Sequence, residues 1–179
     1  ALIFSSHPQE VVGTVLNGFL VTRFLNLKKD KLISQGKEIL QEAVEICTQA
    51  ERGYQDRINV FEDDLIAKSK NAFSKTLEGL ISQLEKPEKE ALQWIVDNAS
   101  VYTKREIRHA SQGFVLTLIP LALYWMLNQK NKFLLETILK QGRDTEKLGA
   151  LAGAWSGAVN GEQVIPKNLK TGLVNSREI

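Results

Sequence analysis

The chain has 179 residues, 43% of them hydrophobic and 25% charged, which is enough for one globular domain with a sizeable core. We therefore take residues 1–179 as a single helical domain. Lys and Arg number 23 against 21 Asp and Glu, so the net charge of +2 gives no electrostatic footprint for nucleic acid. The single cysteine excludes an internal disulfide and a Cys-rich zinc site.

The longest uncharged run, residues 110–129, bears on a membrane location. Its apolar core is shorter than the ~20 residues that a membrane-spanning helix needs, so a buried central helix is the better interpretation. No basic segment precedes an apolar segment at the N-terminus, as a secretory signal would require. We expect a cytoplasmic protein with neither a membrane nor a nucleic-acid partner.

Apolar residues recur at helical spacing along the chain, and no run shows the alternation of a strand. Ser6, Pro8 and Gln9 predict the first helix start, with Ser6 as N-cap and Gln9 completing a capping box. Gly53 is the predicted end of the second helix. The pattern predicts an all-α fold, an irregular or orthogonal bundle of about seven helices. The predicted helices cover residues 8–27, 30–51, 65–84, 87–96, 111–129, 131–141 and 145–159.

The segment from Gly142 to Pro166 joins an acidic turn to a helix rich in glycine and alanine. Each glycine inside a helix costs ~1 kcal/mol relative to Ala, which suggests that close backbone approach offsets the penalty. Asp144 precedes this helix, where the commoner role is an N-cap that accepts from backbone N–H groups two or three residues on. The alternative is a metal site, in which Asp144 and Glu146 offer carboxylate oxygens to a hard cation such as Mg²⁺.

Aromatic residues lie on apolar helical faces, where packing in the core is the default. For Tyr124, Trp125 and Trp155 there is an alternative, in which the rings form the walls of an adenine pocket. No P-loop, Rossmann, nucleophile-elbow or zinc-protease motif is present.

The segment that follows Gly142 resembles the C-terminal signature of the ADP-ribosylglycohydrolase family, in which Gly-Gly-Asp-Thr-Asp-Thr precedes an Ala/Gly-rich helix and Gly-x-x-x-Ile-Pro. Ser6-His7-Pro8 resembles the family's Thr-His-Pro segment, and Gly113-Phe114 resembles the start of its Gly-aromatic helix. The resemblance covers residues 1–27 and 100–172, and it implies the all-α fold of that family.

The resemblance also implies chemistry. The family hydrolyses the glycosidic bond between ADP-ribose and a protein side chain, using two magnesium ions to orient substrate and water. Asp144 and Glu146 fall on two metal-binding aspartates, whereas Lys147 falls where a threonine ligand is expected. Arg143 replaces a glycine and adds bulk at a tight turn. We expect Lys147 or Arg143 to form an ion pair with Asp144 or Glu146 in place of the metal.

Two function hypotheses remain, because the family's other metal-binding cluster, Thr-Asp-Asp, does not occur in these 179 residues. One is an active, Mg²⁺-dependent hydrolase whose missing ligands come from an upstream segment or a partner chain. The other, which the altered motif favours, is a non-catalytic module that needs no cofactor and binds a partner or an ADP-ribose-type ligand.

The start at Ala1 suggests a fragment that lacks the family's front half. Loss of that half would expose apolar surface on the first helix and on the Gly/Ala-rich helix. We therefore expect a homodimer or a complex with a second polypeptide.

Overall fold

The structure is a computed structural model that describes residues 7–58, 69–128 and 134–164, together with residues 167 and 171. Seven α-helices and no strand lie in these ranges, which confirms the predicted all-α fold. The helices are α1 (Pro8–Leu25), α2 (Gly36–Ile58), α3 (Ala72–Gln83), α4 (Glu88–Ser100), α5 (Val115–Asn128), α6 (Leu134–Gln141) and α7 (Thr145–Asn160). Short 3-10 turns cover Lys29–Lys31, Ser69–Asn71 and Glu162–Val164.

Helix α5 is the centre of the bundle and packs against α1, α3, α4 and α7. Every residue from Leu116 to Leu127 except Leu118 is buried. The helix is therefore enclosed on all sides, which explains why apolar residues lie on all of its faces. This confirms the predicted buried central helix. Within the described part of the chain, no helix is both long and apolar enough to cross a membrane.

The start of α1 differs from the predicted capping box. Ser6 lies outside the described residues, and the N-cap position is held by His7, whose side chain makes no capping bond. The capping bond predicted for Gln9 would involve Ser6 and so stays a prediction, whereas the buried amide of Gln9 donates to Ser69 Oγ at 2.9 Å. This tertiary hydrogen bond joins the start of α1 to the turn before α3.

Helix α2 continues past its predicted end. Gly53 is exposed inside the helix, which runs on to Ile58, so the predicted stop at this glycine is wrong. A single glycine costs a helix only ~1 kcal/mol, and burial of the neighbouring Tyr54 side chain favours another turn. The predicted start of the third helix at residues 65–68 lies outside the described residues.

A buried carboxylate joins α2 to α3. The side chain of Glu51 accepts from Phe73 N at 2.8 Å, from Ser74 N at 3.4 Å and from Ser74 Oγ at 2.6 Å. It therefore caps the first turn of α3 from another helix. Burial raises the pKa of Glu51, and the donors from Ser74 and Phe73 oppose that rise. Cys47, one turn earlier on α2, is buried, and burial raises the pKa of its thiol.

Among the residues that the structure describes, none approaches the glycines of α7 as closely as the sequence suggests. A Cβ added at Gly149 would lie 3.8 Å from Ile138, and one at Gly153 would lie 3.7 Å from Leu135, both ordinary contacts. At Gly157 no described atom comes within 4 Å of such a Cβ. Among the described neighbours, the explanation by close backbone approach is therefore wrong for this helix.

Candidate functional site

A groove of about 470 Å³ opens where the first turns of three helices meet. Its walls come from α1 between Glu10 and Asn17, from Gly113 to Ile119 at the start of α5, and from Lys147 and Leu151 on α7. These three segments carry the resemblance described above, although they are far apart in the sequence. The fold thus brings them to one place.

Asp144 stands at the edge of this groove, in the N-cap position of α7, but it does not cap the helix. Its Oδ2 accepts from the backbone N–H of Gly113 at 2.6 Å, and its Oδ1 accepts from Lys147 Nζ at 2.7 Å. The predicted capping bonds to backbone N–H groups of α7 are therefore absent, and that interpretation is wrong. The predicted ion pair between Lys147 and Asp144 is confirmed.

Gly113 allows this contact because it has no side chain. A Cβ at this position would lie 2.7 Å from both Cγ and Oδ2 of Asp144, closer than real Cβ atoms approach other atoms. The carboxylate of Asp144 thus tethers the segment before α5 to the start of α7 through a contact that only glycine permits.

Positive charge surrounds the Asp144 carboxylate. The hydrogen bond from Lys147 is the main cause that lowers the pKa of Asp144, followed by the N–H of Gly113, and Arg105 adds a weaker electrostatic effect. Asp144 in turn raises the pKa of Lys147, with a smaller contribution from Glu146. The side chains are 30% and 59% exposed for Asp144 and Lys147, so solvent screens this pair, and its main effect is on position rather than on stability.

Glu146, the second predicted metal-binding residue, is exposed and makes no hydrogen bond or ion pair to the part of the chain that the structure describes. In the same described part, no group of three or more His, Cys, Asp or Glu side chains could hold a metal ion. The acidic cluster Glu62-Asp63-Asp64 lies outside the described residues. A metal-binding role for Asp144 and Glu146 stays a prediction.

The turn before Asp144 has a left-handed backbone. Gly142 and Arg143 have φ angles of 70° and 68°, a region that costs a residue with a side chain ~1–2 kcal/mol. The predicted tight turn is therefore present, and Arg143 occupies a position that favours glycine. Its Nη2 lies 3.0 Å from Nε2 of His109. Because arginine can only donate, that nitrogen of His109 accepts.

Trp155 is fully buried behind the groove. Its indole N–H donates to Asn17 Oδ1 at 2.8 Å, and its ring centre lies 6.0 Å from that of Phe24. These contacts fix α7 to α1. Asn17 lines the groove, so Trp155 supports the groove wall without facing the groove itself.

Tyr124 and Trp125 are also buried, and their polar atoms point to the turn between α3 and α4. Tyr124 Oη donates to the carbonyl of Lys86 at 3.1 Å, and Trp125 Nε1 donates to Glu88 Oε1 at 3.0 Å. Neither ring lines the groove. Tyr124 and Trp125 bond to the turn between α3 and α4 and to the start of α4, whereas Trp155 bonds to α1. An adenine-binding role for the three rings stays a prediction.

Comparison with models of protein families gives a match over the chain. A model of the family described as ADP-ribosylglycohydrolase matches residues 1–179. No curated protein and no solved structure matches the chain.

Proposed function

Because the chain belongs to the ADP-ribosylglycohydrolase family, we propose that it is a catalytically degenerate member, a helical module that keeps the scaffold without the magnesium chemistry. The observation that carries the proposal is the 2.7 Å contact between Lys147 Nζ and Asp144 Oδ1. Asp144 falls on the family's first metal-binding aspartate. An ammonium group therefore lies where a metal ion would have to bind.

The residues present at this turn do not fit a magnesium ion. Mg²⁺ needs octahedral oxygen ligands at about 2.1 Å, but the Lys147 ammonium lies 2.7 Å from Asp144 Oδ1 and repels a second cation at that oxygen. Lys147 has no lone pair to offer in place of the threonine oxygen. Glu146 is exposed and one methylene longer than aspartate. The orientation of water by a metal ion, which the family uses, has no support in this arrangement.

An active, Mg²⁺-dependent hydrolase is the alternative, with the missing ligands supplied from an upstream segment or a partner chain. Retention of Asp144 beside an open groove favours it. Binding of an ADP-ribose-type ligand, association through α1 or α7 as a homodimer or with a second polypeptide, and a cytoplasmic location all stay predictions. Light scattering at micromolar concentration measures the association.

The proposal is tested by titration calorimetry with Mg²⁺ and by release of ADP-ribose from a modified protein. We expect the wild-type chain to give no saturable heat at micromolar Mg²⁺ and no release above buffer. Asp144→Ala is the matched variant, because it removes the family carboxylate. Saturable heat or Mg²⁺-dependent release in the wild type that disappears in Asp144→Ala would favour the hydrolase and overturn the proposal.

A further inference from the structure

The groove carries one uncompensated charge. Among the residues that the structure describes, two charged side chains line it, Glu10 on α1 and Lys147 on α7. Lys147 is neutralised by Asp144, whereas Glu10 makes no ion pair with any residue in the described ranges. The side chain of Glu10 is exposed to solvent. The lining therefore offers a ligand one free negative charge.

The remaining walls are mainly apolar. Val115, Leu118 and Leu151 are half-buried and line the groove. The two uncharged polar residues of α1 that line it already have partners within the protein. Thr14 Oγ1 donates to the carbonyl of Glu10 at 2.8 Å, and the side-chain oxygen of Asn17 accepts from Trp155. A ligand thus meets mainly apolar surface, the carboxylate of Glu10 and the side-chain N–H₂ of Asn17, which forms no hydrogen bond to a residue that the structure describes.

We propose that this groove binds an organic cation, with its ammonium group at Glu10 and its apolar body against Val115, Leu118 and Leu151. The volume of about 470 Å³ is within the ~300–1,000 Å³ of small-molecule sites. The inference goes beyond the proposed loss of catalysis, because the ligand class follows from Glu10 and not from the metal motif. Arg105 acts on Asp144 and Lys147 but does not line the groove, and salt screens its repulsion of a cation.

The first experiment titrates the full chain with octylammonium and, as matched probes of the same length, with octanoate and octanol. We expect saturable binding of octylammonium, weaker binding of octanol and the weakest binding of octanoate. Along the series from butylammonium to octylammonium, affinity should rise by up to about fourfold per methylene while the chain fills the groove.

The second experiment changes the charge of the groove. Glu10→Gln should weaken octylammonium binding by about twofold to fivefold, the range for an exposed ion pair. Glu45→Gln, an exposed glutamate on α2 outside the groove, is the matched control and should leave the affinity unchanged. Glu10→Lys should reverse the preference and favour octanoate. Circular dichroism melts establish that all three variants are folded.

Three results would overturn the proposal: no saturable binding of octylammonium, octanoate binding at least as tightly, or equal affinities in Glu10→Gln and Glu45→Gln. Binding of ADP-ribose without binding of octylammonium would also overturn it, while leaving the non-catalytic module intact. Conversely, Mg²⁺-dependent hydrolysis together with Glu10-dependent octylammonium binding would overturn the proposed function and support this inference.

Discussion

Two carboxylates lie beside helix starts in this protein, and their surroundings give them opposite properties. Glu51 is 3% exposed and supplies the cap of α3 from α2, whereas Asp144 lies in the N-cap position of α7 and bonds elsewhere. Burial raises the pKa of Glu51, while the Lys147 ammonium and the Gly113 N–H lower the pKa of Asp144. Position in the sequence therefore does not decide which acid caps a helix. The surrounding donors and the degree of burial decide it.

The largest effect that would test this contrast is truncation of the buried acid. Glu51→Ala leaves the buried N–H groups of Phe73 and Ser74 without their acceptor, and each such group costs ~1–3 kcal/mol. We expect a loss of about 3 kcal/mol in the free energy of unfolding, measured in urea. Glu45 lies on the same helix and is exposed, so the free energy of unfolding of Glu45→Ala should stay within about 0.5 kcal/mol of the wild-type value. Equal losses in the two variants would mean that Glu51 does not cap α3.

A smaller effect is expected from Gly113→Ala, which places a methyl group 2.7 Å from the carboxylate carbon of Asp144. Overpacking of this kind costs ~1–3 kcal/mol, so we expect about 2 kcal/mol. The decisive measurement is a double-mutant cycle. In an Asp144→Ala background the methyl group has room, and the same substitution should cost little. Additive effects would show that the tether between the two residues is not the reason for glycine.

The two acids should also respond to pH in opposite directions. Because the pKa of Glu51 is raised, the folded state binds the Glu51 proton more tightly than the unfolded state does. The contribution of Glu51 to stability therefore falls as the pH rises from the ordinary pKa of the residue through the raised pKa. Asp144 has a lowered pKa, so its contribution is present above the ordinary value and disappears as pH falls through the lowered one. Urea unfolding of Glu51→Gln, Asp144→Asn and wild type between about pH 3 and about pH 8 measures both. For each variant, the difference in unfolding free energy from wild type is plotted against pH. Slopes of the same sign for the two variants would contradict this assignment.

The smallest effect concerns the turn that presents Asp144. Arg143 has a φ of 68°, and glycine at this position would remove a strain of ~1–2 kcal/mol, although its freedom in the unfolded chain offsets ~0.5–1 kcal/mol of that gain. We expect Arg143→Gly to raise the melting temperature slightly. Arg143→Ala loses the same contact with His109 but keeps a Cβ, so it should give no gain. A gain in the alanine variant would mean that the guanidinium, and not the backbone, is the source of strain.

Sequence reasoning predicted what depends on neighbours along the chain. Apolar spacing is a local property, and it gave the all-α class and the seven helices. The pair of Lys147 and Asp144 is three residues apart on one turn, so it too could be predicted. The continuation of α2 beyond Gly53 could not be predicted in this way, because burial of the following turn outweighs the cost of one glycine.

The contacts that sequence reasoning missed join distant segments. Gly113 lies 31 positions before Asp144, and Glu51 lies 22 positions before Phe73. One signal was available for Glu51, since it follows Cys47 by four positions and so shares the buried stripe of α2. A glutamate in such a stripe needs donors, and these come from α3. No comparable signal identified the groove, which needs three helices to exist.

The hydrogen bond between Asn17 and Trp155 also has a consequence during synthesis. It joins residues 138 positions apart, so the wall that α1 and α7 share cannot form until α7 has left the ribosome. At ~5–20 residues per second, α1 waits roughly 7–28 s for this partner. During that time Phe24 has no Trp155 to pack against and is open to chaperones or to a neighbouring nascent chain. The groove therefore cannot form before α7 has emerged, and a ligand that fills it reports that α1 and α7 have packed together.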